Sequence, residues 1–133
     1  MLQNTTAYLI ARLSIGMSMF AHGLVRMPKL DGFSSWMVTS FKDSALPEAL
    51  VRPFSYALPV LELAVGVLLL LGLFTRLSII VGSIIMLALI FGSGMIEKWD
   101  AVFTQIVYGV IFAILYNYLG SNQYSLDRVL RRG

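Results

Sequence analysis

Six residues inside otherwise apolar stretches of this chain could do chemistry: Arg12, His22, Glu62, Gln105, Tyr108 and Tyr116. Glu62 is the one formally charged residue in the run 54–74. A run of that length matches the roughly 20 residues needed to cross a bilayer core of about 30 Å. A carboxylate there costs about 3 kcal/mol or more unless it is neutralised or paired. A partner arginine would hold Glu62 ionised; without one, the low-dielectric surroundings keep the carboxyl protonated. Arg12 and His22 share the first apolar run and are the candidate partners. A buried carboxyl and an imidazole can also carry protons. One histidine and one buried carboxylate are too few ligands for a metal, so no metal is expected.

The elements that would position these groups are membrane helices. Of the 133 residues, 58% are apolar and 13% charged, about half the charged share of soluble domains. The mean hydropathy is +0.81. The chain therefore reads as one all-α domain over 1–133, a polytopic transmembrane four-helix bundle. Its net charge of +3 is spread along the sequence rather than gathered into a stripe, which excludes a nucleic-acid surface. With no cysteine, a CxxC redox centre, a thiolate nucleophile and a disulfide are excluded. The N-terminus enters an apolar run without a basic region or a convincing cleavage site, so the first run is expected to be a retained helix.

Transmembrane helices are expected over 6–25, 54–74, 77–96 and 101–119. The first has Asn4, Thr5 or Thr6 as its cap and places Tyr8, Arg12, Ile15, Gly16, Met19 and Gly23 on one face, with His22 at its edge. Gly16 and Gly23 would allow close helix contact, and Arg12 is expected to point into the bundle, with snorkelling as the alternative. Residues 26–53 form an interfacial connection carrying a short amphipathic helix near 33–41, capped by Asp31. Pro47-Glu48 signals a second short turn. Pro59 should kink the second helix near Glu62, and Gly66 extends the face of Glu62. The third helix offers a packing stripe of Gly82, Ser83, Met86 and Ile90. Asp100 can cap the fourth, which aligns Gln105, Tyr108, Gly109, Phe112 and Tyr116 inward, for interhelical hydrogen bonds or for a ligand. The basic tail 120–133 should lie as an amphipathic segment at the membrane surface. Four crossings put both termini on one side. The basic residues, four on that side and five on the other, do not decide the orientation, and the compact basic tail favours cytoplasmic termini.

Measured from the long connection at 1.5 Å per residue, His22 lies about 5 Å deep, Glu62 about 12 Å and Arg12 about 20 Å. Glu62 is thus expected between His22 and Arg12, within reach of either. Three readings follow: a structural polar cluster that fixes helix register, a site for a polar-headed lipid-soluble ligand such as a quinone, or a small-solute pathway. The last is the weakest, since one four-helix bundle without internal repeats makes a poor transporter unless it forms a homo-oligomer.

Arg12…Gly16…Phe20-Ala-His22-Gly23-Leu…Lys29, Pro59-x-x-Glu62-Leu-x-x-Gly66 running to Gly72-Leu-Phe-Thr-Arg76, and Tyr124-Ser-Leu-Asp-Arg-Val-Leu130 resemble the DoxX family in order and spacing. The resemblance implies a four-helix protein of the bacterial inner membrane in which Arg12, His22 and Glu62 are motif positions. Relatives include the membrane subunit of a thiosulfate:quinone oxidoreductase, partners of superoxide dismutase in oxidative-stress complexes, and animal chaperones for receptor assembly. The expected role is an accessory subunit or assembly factor of a membrane redox or stress complex, working with a membrane or soluble protein partner and not as an enzyme on its own. The alternative is a quinone-binding oxidoreductase subunit. No cofactor is expected beyond a possible quinone or lipid ligand.

Overall fold

The computed structural model describes residues 4–130. Helix α1 spans Thr5–Arg26 and starts where Asn4 Oδ1 accepts from the amide of Ala7 at 2.9 Å. Its buried residues are Tyr8, Arg12, Ile15, Gly16, Met19 and Gly23, the face that helical spacing marks out. A 3-10 turn, Met27–Lys29, leads directly into α2, Leu30–Ser40. This amphipathic helix starts three residues earlier than expected. Asp31 lies in its first turn without capping it, and accepts from the hydroxyl of Tyr56 at 2.6 Å instead.

Helix α3 runs Glu48–Leu71, so the helix-start signal at Pro47 belongs to the second crossing helix itself and not to a separate turn. Pro47 is extended at φ −73°, ψ 150°, Glu48 places its charge in the first turn, and Arg52 pairs with it at 3.3 Å. Pro53 and Pro59 both lie inside the helix. The helix ends at Leu71, before the expected 74, because Gly72 turns left-handed at φ +67°. The amides of Gly72 and Leu73 then bond back to Leu69 O and Leu68 O at 3.2 and 2.9 Å, which closes the helix end.

Helix α4 is Thr75–Met95 and α5 is Trp99–Asn117. Asp100 does not cap α5; it sits in the first turn after Lys98, where its charge favours the helix dipole. A 3-10 turn, Leu119–Ser121, and the short α6, Leu126–Val129, complete the described chain. Arg131 and Arg132, counted in the basic tail, lie outside the described residues.

Among the described residues, four helical segments are long and apolar enough to cross a membrane: Thr5–Ser40, Glu48–Leu71, Thr75–Met95 and Trp99–Asn117. The protein is an all-α polytopic bundle, with no strand among the described residues. Its tightest pair is α1 on α3, and α2 folds back on α3 through buried Ser34, whose hydroxyl meets that of Ser55 at 2.6 Å. A Cβ at Gly66 would stand 2.3 Å from the Phe20 nitrogen, and one at Gly23 2.5 Å from the Leu63 nitrogen. Only glycine lets the two backbones come this close. Helix α5 packs chiefly on α4, through buried Phe112 and Leu115.

Candidate functional site

His22 and Arg26 stand one turn apart at the end of α1 and share a face. Glu62 sits on α3 next to Leu63, which Gly23 contacts, and one turn before Gly66, so the short helix separation brings its carboxylate within reach of that face. Arg26 Nη1 donates to Glu62 Oε1 at 3.0 Å, with the arginine side chain 29% exposed and the glutamate 4%. The guanidinium also lies over the Phe33 ring, 4.4 Å from its centroid, a cation–π arrangement that holds it toward the pair.

These groups line a cavity of about 260 Å³ between the second half of α1, α3, α4 and the first half of α5, roofed by α2. Gln105 and Tyr108 line it from α5, and the rings of Phe33, Trp36, Phe41 and Phe54 supply an aromatic wall. Phe33 and Trp36 stack with centroids 5.8 Å apart, and Lys98 Nζ lies 5.3 Å from the Trp36 centroid. His22 Nδ1 donates to Ser18 O at 2.7 Å. The hydroxyls of Ser18 and Tyr108 hydrogen-bond across the seam between α1 and α5. Gln105 Nε2 donates to Ser93 Oγ at 3.1 Å, while its Oε1 is buried without a hydrogen-bond partner.

The six residues picked out in the sequence therefore divide. His22, Glu62, Gln105 and Tyr108 share the cavity; Arg12 and Tyr116 do not line it. Arg12 points into the protein, 2% exposed, but the expected pairing with Glu62 is replaced by contacts at the opposite end. Its Nε donates to Leu69 O at 2.8 Å, and its Nη1 to Asn122 Oδ1 at 2.7 Å and Tyr124 O at 2.9 Å. Leu69 is about 10 Å along α3 from Glu62, and a cation there also meets the negative end of the helix. Tyr116 is 44% exposed and faces Arg76, whose guanidinium carbon lies 5.6 Å from its ring.

In the sequence, Arg26 falls in the polar connection 26–53, where the composition changes. The signal that finds it is its spacing of one turn from His22. The tail was also read too simply: it does not just lie on the surface, because Asp127 is buried, 5% exposed. Its carboxylate accepts from the amides of Phe74 and Thr75, each at 2.7 Å. That caps α4, and Asn122 Nδ2 adds a bond to Thr75 Oγ1 at 3.0 Å.

Fold and site together define a helical membrane protein closed by a polar clasp at one end and opened by an amphipathic cavity at the other. The sequence model of the DoxX family matches residues 7–95, and the chain belongs to that family. The match takes in α1 to α4, with Arg12, His22, Arg26 and Glu62, and stops before Gln105, Tyr108 and the Asp127 clasp. Comparison with curated proteins and with solved structures finds no match.

Proposed function

We propose that the chain is an accessory subunit of a membrane redox or oxidative-stress complex, and that its cavity holds the ring headgroup of a lipid-soluble ligand of the quinone class. The observation that carries this reading is the cavity itself, where an ion pair, an amide and further polar side chains, His22, Lys98 and Tyr108 among them, face a wall of aromatic rings. Small-molecule sites have this composition, mostly apolar with a few convergent polar groups. A void of about 150 Å³ accepts benzene, so about 260 Å³ takes a substituted ring. Arg26 donates toward a ring oxygen, the aromatic wall stacks on the ring, and the buried Glu62 holds the guanidinium in place. The chain has no thiol, and electrons would pass through the partner. Placement in the bacterial inner membrane with both termini in the cytoplasm belongs to the same proposal. The assembly-factor role is the alternative if the cavity binds nothing.

The test is thermal unfolding of the purified protein in detergent, with a short-tailed quinone analogue supplied in either oxidation state. Ligand at about a hundred times its Kd raises stability by about 2.7 kcal/mol. The wild type should show a concentration-dependent rise in midpoint that Glu62→Gln reduces. No rise in the wild type, together with a lower midpoint in the variant, identifies the polar residues as a structural cluster.

A further inference from the structure

The cavity's polar groups have their protons committed in a pattern that discriminates between ligands. His22 Nδ1 lies 2.7 Å from Ser18 O. A carbonyl has no proton, so Nδ1 carries it and the neutral ring keeps its Nε2 lone pair. Glu62 uses Oε1 for Arg26, and its Oε2 makes no hydrogen bond among the described residues. Gln105 spends an amide proton on Ser93 and leaves Oε1 buried and unpartnered. These three unspent acceptors sit on three different helices around one cavity. The donors are Arg26 at the rim, Lys98 and the second amide proton of Gln105.

We propose that this cavity selects the reduced, hydroxyl-bearing form of its ring ligand, a hydroquinone, over the oxidised quinone. The inference rests on the quinone-class reading of the site given above. Both oxidation states present oxygens that accept from these donors, so the donors do not separate them. The acceptors do. A hydroquinone hydroxyl brings a proton to Gln105 Oε1, Glu62 Oε2 or His22 Nε2, whereas a quinone carbonyl brings only a second lone pair. Leaving a buried acceptor unpaired costs about 1–3 kcal/mol, and sites built around hydrogen bonds reject analogues that cannot complete them. A tenfold preference for the reduced form raises the reduction potential of the bound couple by about 30 mV.

The experiment is anaerobic calorimetric titration of the full chain in detergent with durohydroquinone and, separately, with duroquinone. Because the chain has no cysteine, the reductant that maintains the hydroquinone changes no disulfide. The hydroquinone should bind at least about tenfold more tightly. Gln105→Leu, which keeps bulk and removes the acceptor, should bring the ratio at least about threefold closer to one. Gln105→Met removes the same acceptor with a more pliant side chain and replaces that variant if it does not fold. Equal affinities, or a preference for the quinone, overturn the selectivity and leave the quinone-class site standing. Failure of both forms to bind overturns the site and the selectivity together. A ratio unchanged in the folded variants overturns the assignment of the acceptors.

Discussion

Asp127 holds the backbone amide of Thr75 at 2.7 Å across 52 residues of chain. Its other oxygen takes the amide of Phe74, and its own amide donates to Gly72 O at 2.9 Å. One residue of the tail thus closes the turn between α3 and α4. It supplies the start of α4 with the negative charge that a helix N-terminus favours, where the cap position itself is taken by Phe74 at φ 49°.

Asp127→Asn should therefore weaken the fold rather than the cavity. Loss of a charge-assisted hydrogen bond at a buried site costs about 2 kcal/mol. The expected result is a lower unfolding midpoint in detergent, with hydroquinone affinity unchanged at temperatures below that midpoint. A drop in affinity with no change in midpoint would contradict this division of labour.

Arg12 should behave in the same way, although it shares a helix with His22. Arg12→Met leaves Leu69 O without its side-chain donor and Asn122 Oδ1 and Tyr124 O without theirs, and should cost about 3 kcal/mol. Arg12→Lys should recover only part of this, because an ammonium lacks the planar fork that reaches all three oxygens. Thermal denaturation of both variants beside the wild type decides the order.

The two halves of the Arg26–Glu62 pair should not be equivalent. Arg26→Met strands a carboxylate whose side chain is 4% exposed, and breaking a buried pair in this way costs about 3–5 kcal/mol. Glu62→Gln leaves an arginine that is 29% exposed and able to turn outward, and should cost about 1 kcal/mol. The combined Arg26→Met, Glu62→Leu protein should be more stable than Arg26→Met alone, as a double-mutant cycle would read.

Glycines in similar helical settings should differ sharply in tolerance. Gly66→Ala drives a Cβ to 2.3 Å from the Phe20 nitrogen, and should cost about 3 kcal/mol or prevent α1 and α3 from pairing. Gly109→Ala meets nothing within 4 Å and should gain up to about 1 kcal/mol from helix propensity. Yield of monodisperse protein and unfolding midpoint report both.

Much of the fold could be read from the apolar runs. The buried face of α1 follows from 3.6-residue spacing, and Gly16 and Gly23 pointed to a close helix contact, which the structure makes with α3. Helix ends were less legible. The start of α3 lies among polar residues that resemble a loop, and hydropathy does not register that Pro47-Glu48 begins a crossing helix. In the site, depth placed Glu62 correctly near His22, but depth alone could not choose between arginines. Arg26 lay just past the apolar boundary, and Arg12 reaches the buried carbonyl of Leu69 and a tail more than a hundred residues away. A contact of that kind depends on the turn at Gly72, where Cα–Cβ bulk would strike Ser125 at 2.5 Å, and nothing local in the sequence announces it.

The clasp also fixes what kind of vessel the bundle is. Arg12, Asn122, Asp127 and Thr75 stitch one end shut with buried hydrogen bonds, while the cavity lies toward the other. On the proposed reading, a ring ligand beside the Arg26–Glu62 pair would sit well away from this clasp, on the far side of Leu69 along α3. The bundle is thus tied together by side chains at one end and hollowed between its helices at the other.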